Sequence, residues 1–535
     1  MKNDDDRPWS KDIPEGPWDY IVIGSGMGGM TTAAILAKLG KRVLVLEQHY
    51  VPGGFTHMFK RPGFKWDVGV HAVGEVTKHS LTGRILDALS DGALRWASLG
   101  EVYDEFHFPD GFRIDFPDSP AKFRDNLREA FPDEHEAIDG YLHLVRSVSK
   151  SMKTYYLARL APERVGRFAD LVFARHAKRF LTMRTIDAVR ELTSNPHLAA
   201  IFTGQWGYYG STPRRSSFAM QALVVKHFFH GGYYPIGGAS RIASTLLKTV
   251  ADAGGWTAIR ADVDQVLVED GAAVGVRMKD GREIRGDRVV SAAGVASTVL
   301  RLLPAPHCDD EWAKEVEALP PAPAHVCLYL GFEGDITKAG AGAANKWFYE
   351  TWDMEDDSWE VSPELDELPR ASVLYCSFPS LKDPEHDPGP KVRHTGEVVT
   401  FVPYDVFVPW REDRWKKRGV DYESFKEKMK EKLLEQFFEH VPGLKEHLVF
   451  AELSTPVSTE HFVRPVRGSI YGIEPTPSRF ENRWLRPRSP VKDLFFSGSE
   501  VATVGVIGAM MGGVLAAVSA EPIEAVRFLA PLVKR

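Results

Sequence analysis

The sequence has few of the features that mark secreted, metal-binding or nucleic-acid-binding proteins. Its 535 residues include three cysteines, Cys308, Cys327 and Cys376, which are widely separated and form no CxxC pair. This usage argues against a disulfide framework and predicts a reducing compartment and no metal site. The formal net charge is −7, which gives no reason to expect nucleic acid as a partner.

The chain also lacks an obvious signal or membrane-spanning segment. Residues 1–18 are polar and contain no apolar core of the kind that a secretory signal requires, so we expect a mobile or loosely docked tail. The uncharged run Val501–Ala520 has the length of a membrane-spanning helix, but four glycines interrupt it and a strand-like segment precedes it. We interpret it as a buried helix whose small residues permit close backbone contacts.

The stretch that organises the chain runs from Asp19 to Gly54, DYIVIGSGMGGMTTAAILAKLGKRVLVLEQHYVPGG. A strand, three glycines at G-x-G-x-x-G spacing, a helix and a second strand ending on an acid follow in order; the glycines and the acid are Gly24, Gly26, Gly29 and Glu47. Such glycines allow a tight turn, close approach of a pyrophosphate and close helix packing. The acid accepts hydrogen bonds from ribose hydroxyls. A second pair, Gly53 and Gly54, favours the flavoprotein version of this dinucleotide site.

The rest of the chain predicts a nucleotide domain built from separate segments. We expect FAD-binding segments at 19–90, 230–303 and 485–535, a helical substrate- or membrane-facing region at 91–229, and a substrate domain of sheet and helices at 304–484. The predicted fold class is therefore α/β, with a discontinuous Rossmann-type FAD-binding domain, an inserted α+β substrate domain and a helical region.

A basic segment stands out in this acidic protein. Residues 141–190 contain eleven Lys and Arg against three acids, interleaved with aromatic and aliphatic side chains. Such a stretch is typical of an interfacial helix facing anionic lipid. The alternative is a solvated helical face over an ordinary core. We expect a cytoplasmic protein with peripheral membrane contact.

Two side chains are candidates for proton transfer. His71 lies in WDVGVH, a segment expected to pass over a flavin, and imidazole exchanges a proton near neutral pH. Tyr471 lies near Arg467 and Glu474 and is able to donate a hydrogen bond or a proton to a substrate. For both the alternative is structural: His71 hydrogen-bonds the cofactor or backbone, and Tyr471 a buried neighbour.

The motifs GSGMGG…LEQHYVPGG, WDVGVH and FFSGSE…GVIGAMMGG resemble the phytoene desaturase and carotenoid isomerase branch of FAD-dependent oxidoreductases. FPSLKDP, FVPYDVF and RGSIYGIEPTPSRF are similar to the retinol-saturase-like members of that branch. The resemblance spans nearly the whole chain and implies non-covalent FAD, with Val263 at the adenine and Gly498 with Glu500 at the pyrophosphate–ribityl region. The residues that it assigns to FAD are Gly24, Gly26, Met27, Gly28, Gly29, Glu47, Gln48, Gly53, Gly54, Val263, Gly498, Glu500, Val506 and Ile507.

The resemblance further implies hydride transfer at the flavin, to or from carbon–carbon double bonds of a retinoid, carotenoid or unsaturated fatty acyl chain. The enzyme would act as a saturase, desaturase or isomerase on this apolar lipid or isoprenoid substrate. Because the sequence contains no second GxGxxG unit, the electron donor or acceptor would be a separate partner or a transiently bound nicotinamide. Two alternatives remain: an amine-oxidase-type enzyme for a smaller polar substrate, and a non-enzymatic lipid-binding escort protein.

Overall fold

The structure, a computed structural model, describes residues 7–160, 175–305, 307–355 and 358–533. Its strands are β1 Tyr20–Ile23, β2 Val43–Glu47, β3 Met58–Arg61, β4 Phe64–Asp67, β5 Trp96–Ser98, β6 Val102–His107, β7 Arg113–Pro117, β8 Tyr233–Pro235, β9 Trp256–Ile259, β10 Val263–Glu269, β11 Ala272–Met278, β12 Glu283–Arg285, β13 Arg288–Ser291, β14 Ala324–Glu333, β15 Asn345–Tyr349, β16 Val373–Ser377, β17 Arg393–Val402, β18 Leu448–Ser454 and β19 Leu494–Phe496.

The α-helices of five residues or more are α1 Met27–Lys38, α2 Leu81–Ser90, α3 Pro120–Ala130, α4 His135–Leu160, α5 Arg175–Thr182, α6 Thr185–Arg190, α7 Pro196–Thr203, α8 Phe218–His227, α9 Ser240–Asp252, α10 Glu311–Glu317, α11 Val420–His440, α12 Pro456–Val463, α13 Pro477–Glu481, α14 Gly505–Ala520 and α15 Pro522–Val533.

A parallel sheet of order β19-β13-β1-β2-β9 forms the centre of the nucleotide domain. Its strands come from the N-terminal, central and C-terminal parts of the chain, so the predicted discontinuous Rossmann-type domain is confirmed. Every residue of β1 and β2 is buried, as in parallel sheets that are covered on both faces. The predicted strand pair before β13 is also present, since β10 and β11 pair antiparallel across their turn.

A second sheet, of order β18-β14-β17-β16-β15-β6-β7, forms the inserted α+β domain. Side chains alternate along β14, because successive residues of a strand point to opposite faces. Val326, Leu328 and Leu330 pack in a core with buried residues of α11. Cys327 and Tyr329 belong to the core on the opposite face, which also contains the helical region. One face of this sheet is therefore covered by α11, and the other packs against the helical region.

The helical prediction for 91–229 is wrong at its N-terminal end. Residues 96–98, 102–107 and 113–117 form β5, β6 and β7, and the last two extend the second sheet at the β15 edge. The reason is visible in β7, where buried Ile114 and Phe116 alternate with Arg113 and Asp115, a period of two that is typical of strands. Helices follow from Pro120 onward, and the part of the basic segment at 161–174 lies outside the described residues.

Helices α1 and α14 approach the turn after β19 at glycine contacts that exclude a side chain. A Cβ at Gly28 would lie 2.5 Å from Gly498 Cα, and one at Gly512 would lie 1.9 Å from Gly498 O. A Cβ at Gly513 would lie 2.5 Å from Gly28 O. Since these are backbone atoms, the neighbours have little freedom to move aside. The uncharged run 501–520 thus forms a turn and a mostly buried helix, as interpreted.

No helix in the described ranges is long and apolar enough to cross a membrane. The N-terminal residues from Arg7 to Trp18 run along the surface of the nucleotide domain and contact it. Ser10 forms a bridge beside β9, with its amide donating to Thr257 O at 3.2 Å, and Trp18 is buried. This part of the predicted tail therefore extends the edge of the parallel sheet.

Replacement of Gly512 by Ala tests the close helix contact. We expect G512A to lower the free energy of unfolding by about 1–3 kcal/mol, because its Cβ overlaps a backbone carbonyl. The matched control is Gly342→Ala, since a Cβ at Gly342 meets nothing within 4 Å and its φ is ordinary. Chemical denaturation of both variants measures the difference, and equal stability of the two would contradict the packing described.

Candidate flavin-binding and proton-transfer site

A cavity of about 420 Å³ lies between the glycine-rich turns of the nucleotide domain and the segments 54–71 and 462–472. Two glycine-rich turns, after β1 and after β19, form one side of it. The loop after β4 and the segment after α12 close the other side. The lining includes Gly24, Gly26, Glu47, Val263, Gly294, Gly498 and Gly505 from the nucleotide domain, and Gly69, His71, Ile470 and Tyr471 opposite.

The glycine turns leave space and free amides for a pyrophosphate. No side chain caps the N-terminus of α1 or of α14, so the first amides of both helices are available to an anion. A Cβ at Gly26, Gly498 or Gly505 would meet nothing within 4 Å, although all three residues line the cavity. Open backbone beside two uncapped helix N-termini fits the phosphates of a dinucleotide.

Most of the predicted FAD residues line this cavity. The lining ones are Gly24, Gly26, Met27, Gly28, Glu47, Gln48, Gly54, Val263, Gly498, Glu500 and Val506. The other three lie behind it. Gly29 packs α1 against the turn, since its Cβ would lie 2.1 Å from Gly24 O; the Gly53 amide donates to Ser25 Oγ at 3.0 Å; and Ile507 is buried in the core. These three support the cavity rather than face it.

The two predicted acids hold backbone segments around the cavity. Glu47 accepts hydrogen bonds from the Ser25 amide at 2.9 Å, the Ser25 hydroxyl at 2.6 Å and the His49 amide at 2.8 Å. Glu500 accepts from the amides of Ala296 at 3.0 Å and Ile473 at 3.1 Å. In the structure both carboxylates are hydrogen-bonded to the surrounding loops. The ribose contact of Glu47 and the ribityl contact of Glu500 therefore stay predictions.

His71 lies at the end of the cavity nearest the second sheet. Its side chain is 14% exposed, and its Nδ1 lies 2.9 Å from Oε2 of Glu397, which is fully buried on β17. Burial and the nearby Lys382 ammonium together lower the pKa of His71 to about 3, against the opposing effect of Asp67. Burial raises the pKa of Glu397 well above its ordinary value, against the opposing effects of Lys382 and the Asp67 amide. Both groups are therefore favoured in their neutral forms.

Lys382 fixes the backbone that carries His71. Its ammonium donates to His71 O at 2.7 Å, to Ser377 Oγ at 2.6 Å and to Asn345 Oδ1. Burial lowers the pKa of Lys382 to about 8, although Glu397, Asp104 and Asp67 oppose the shift. The ammonium thus joins the histidine loop to strands β15 and β16.

Two further carboxyls complete the buried cluster. Asp67 accepts from the Tyr234 hydroxyl and from the Ala239 amide at 3.2 Å, and burial raises its pKa to about 7. Asp104 accepts from Asn345 Nδ2 at 2.9 Å and from the Tyr208 hydroxyl at 2.7 Å, and burial raises its pKa to about 6. One ammonium cannot balance three ionised carboxylates in a dry site, so at least one carboxyl is favoured as the acid.

Tyr471, the second predicted proton donor, also lines the cavity. Its hydroxyl donates to Gly207 O at 3.1 Å, and burial raises its pKa above the ordinary value. A phenol that is buried and committed to a carbonyl holds its proton at neutral pH. The geometry therefore favours His71 over Tyr471 for proton transfer, and the catalytic roles of both stay predictions.

Sequence reasoning missed Glu397 and Lys382. A signal for Glu397 exists in GEVVTFV, where a single acid stands in a run of strand-forming residues and shares a strand face with Val399 and Phe401. Lys382 gives no comparable signal, because a lysine in the loop segment SLKDP is ordinarily solvated.

The Rossmann-type fold, together with a cavity whose shape suits a dinucleotide, defines the class of flavin-dependent oxidoreductases. The chain belongs to the family described as flavin containing amine oxidoreductase, which matches residues 27–520. This family membership confirms the prediction that the protein uses FAD, and it agrees with the family predicted from the motifs.

Two individual proteins and one solved structure are similar to this chain over most of its length. The chain is similar to the all-trans-retinol 13,14-reductase of Danio rerio, at 32% identity over 524 residues, covering 94% of this chain and 85% of the relative. It is 26% identical over 513 residues to prolycopene isomerase 1 of an Oncidium hybrid cultivar, covering 92% of this chain and 83% of that protein. A solved oxidoreductase from Methanosarcina mazei has the same fold, with a TM-score of 0.61, 17% identity, and coverage of 92% of this chain and 98% of that one.

Replacement of Gly26 by Val tests the phosphate cradle. Gly26 has φ −65°, which valine adopts, and its Cβ would enter open cavity space. We expect G26V to weaken FAD binding at least about tenfold, or 1.4 kcal/mol. The unfolding midpoint of flavin-free protein should stay close to that of wild type. Flavin fluorescence titration measures affinity, with Gly342→Val as control; unchanged affinity of G26V would exclude this cradle as the phosphate site.

Proposed function

We propose that the protein reduces a carbon–carbon double bond in an apolar isoprenoid polyene, with FAD held in the cavity between the two domains. The observation that carries the proposal is that His71, which lines the cavity and is 14% exposed, has its Nδ1 2.9 Å from the fully buried carboxyl of Glu397. Reduction of an alkene needs one hydride and one proton, and this histidine is the cavity-lining group best placed to give the proton.

The cavity lining includes apolar side chains such as Phe55, Ile470 and Val506, and an aromatic cluster packs behind His71 outside that lining. The His71 ring lies 5.2 Å from that of Tyr375, which in turn lies 4.5 Å from Trp347 and 5.8 Å from Tyr208. The carboxyls closest to His71 are buried and directed at protein groups, so they are poorly suited to pair with the ammonium of an amine. These features support a polyene over a small cationic substrate.

The protein's own groups account for binding and proton supply. The uncapped amides of α1 and α14 and the open glycines would hold the phosphates, with Glu47, Gln48 and Val263 at the adenosine. When bound and reduced, FAD supplies a hydride equivalent. His71 would hold a proton at the cavity, Lys382 fixes its loop, and apolar lining residues such as Phe55, Ile470 and Val506 would exclude water from the reacting carbons.

Isomerisation without net reduction is the second candidate. It is supported by the likeness to a prolycopene isomerase over most of both chains. It would use the same cavity and a reduced flavin but leave the number of hydrogens unchanged. Saturation and isomerisation therefore differ in product mass, and the same experiment separates them.

Anaerobic incubation of dithionite-reduced, FAD-loaded protein with all-trans-retinol or with prolycopene tests the proposed function. We expect the polyene to gain two hydrogens, as measured by mass spectrometry of the extracted product. A changed double-bond geometry at constant mass would favour isomerisation. Loss of two hydrogens with oxidised protein would favour desaturation, and no conversion of either polyene would contradict the proposal.

We also propose peripheral contact with an anionic membrane, which would let a greasy substrate enter without crossing water. The proposal is supported by α5, whose Arg175, Lys178 and Arg179 are exposed while Ala177 and Leu181 are buried. Leu157, at the end of α4 that leads toward this region, is 64% exposed. Arg159 does not share this role, because it is buried and donates to Phe480 O at 2.8 Å and Asn482 O at 3.0 Å.

Charge reversal on α5 tests the membrane proposal. We expect the triple variant R175E/K178E/R179E to bind phosphatidylserine-containing liposomes at least about tenfold more weakly, since each surface cation contributes about 1 kcal/mol. The control reverses three exposed lysines elsewhere, Lys11, Lys60 and Lys65. Liposome co-sedimentation provides the measurement, and equal losses in the two triple variants would show a nonspecific charge effect and contradict the proposal.

A further inference from the structure

Glu397 is a fully buried acid in contact with His71, a role that alkene reduction alone does not require. We propose that Glu397 is a positioning residue that donates a hydrogen bond to Nδ1 of His71 and thereby keeps the ring proton on Nε2, which faces the cavity. As the substrate takes the Nε2 proton, Glu397 transfers its own proton to Nδ1. The inference rests on the reduction proposed above and adds the source of the proton.

The contact geometry is the first support. His71 Nδ1 and Glu397 Oε2 are 2.9 Å apart, and the Glu397 side chain has no solvent exposure. The contact is close but not aligned as a hydrogen bond, and among the described residues neither Nδ1 nor either Glu397 oxygen has a well-aligned hydrogen-bond partner. A buried carboxylate without partners is costly, whereas a carboxylic acid that donates to the imidazole satisfies both groups with one proton.

A hydrogen bond from Glu397 to Nδ1, which the 2.9 Å separation permits once the two groups align, selects one imidazole tautomer. In a neutral ring one nitrogen donates and the other accepts, so an Nδ1 that accepts from Glu397 leaves the ring proton on Nε2. Nδ1 is buried, while the His71 side chain is partly exposed and lines the cavity. The opposite edge of the ring, which carries Nε2, is therefore the one available to a substrate.

The surroundings favour the neutral pair. Burial raises the pKa of Glu397 and lowers that of His71. The proton between the two groups is therefore most stable on the Glu397 carboxyl, and the imidazole is neutral. An imidazolium at this position would be disfavoured by burial and by the Lys382 ammonium. The titratable groups that face the pair from neighbouring elements are Asp67, Tyr234, His325, Cys327, Tyr329, Tyr375 and Lys382, and Asp104 acts in turn on Lys382.

The relay balances without an imidazolium intermediate. The Nε2 proton moves to the alkene carbon that does not receive the hydride, and the Glu397 proton moves to Nδ1. The imidazole stays neutral with its proton now on Nδ1, and the negative charge remains on Glu397, where the Lys382 ammonium stabilises it. A proton from water at the cavity then enters Nε2, and the Nδ1 proton returns to Glu397, which restores both the carboxyl and the starting tautomer before the next turnover.

The variant E397Q separates holding the ring from supplying the proton. Its amide is able to donate a hydrogen bond to Nδ1 but cannot release a proton at neutral pH. For all-trans-retinol and dithionite-reduced, FAD-loaded enzyme, we expect kcat to fall about 100-fold or more, since general acid catalysis contributes about 10²–10⁴-fold. KM should change less than about twofold, because the substrate does not touch Glu397.

Infrared spectroscopy gives a readout that does not depend on turnover. In FAD-loaded protein without substrate, we expect a protonated-carboxyl C=O band that disappears in E397Q and shifts in H71Q, because the band belongs to an acid bonded to imidazole. The control D104N removes a carboxyl from the same cluster without touching His71, and it should keep the band.

An unchanged band in E397Q, or wild-type kcat in that variant, would overturn the relay. If E397Q does not fold, the shift in H71Q still decides whether a neutral acid lies on the imidazole. If wild type does not convert retinol, the infrared result still tests the proton on Glu397, so failure of the proposed function is distinguishable from failure of this inference.

Discussion

The close approach of three backbones at Gly28, Gly498 and Gly512 is the constraint on which the rest of the structure depends. Because a Cβ at Gly28 or Gly512 would overlap main-chain atoms of Gly498, the first turn of α1 and the middle of α14 are held against the turn after β19 without intervening side chains. The same contacts leave both sets of terminal amides facing one cavity. Chain segments from opposite ends of the sequence are thereby combined into a single phosphate-binding surface.

A second constraint is the desolvation of charge where the two domains meet. One lysine and three carboxyls are buried around His71, and no arrangement allows all of them to be ionised in a dry site. The cluster resolves this by hydrogen-bonding Asp67, Asp104 and Lys382 to protein groups and by favouring a neutral Glu397. Apolar residues of the same volume would make the fold more stable than this buried cluster of ionisable groups does. The loss of stability is the physical reason to attribute a chemical role to the cluster.

The parts of the molecule that were predictable from the sequence are those with local signals. Glycine spacing followed by a helix and an acid identifies the nucleotide site, because the turn, the amides and the packing come from consecutive residues. The strands at 102–117 were missed because short strands between helices give only a few alternating positions. The cluster at His71 was missed for a different reason: Asp67 comes from the β3–β4 hairpin and Lys382 and Glu397 from the second sheet, and only the packing of these two parts brings them together.

The central claim of this account is that FAD lies in the cavity with its reactive ring beside His71. A crystal structure of the FAD-bound protein tests it most directly. We expect the adenosine beside Glu47 and Val263, the pyrophosphate at the N-termini of α1 and α14, and the isoalloxazine in contact with the His71 side chain. A ring system bound at the Glu47 end, or FAD bound outside this cavity, would contradict the account.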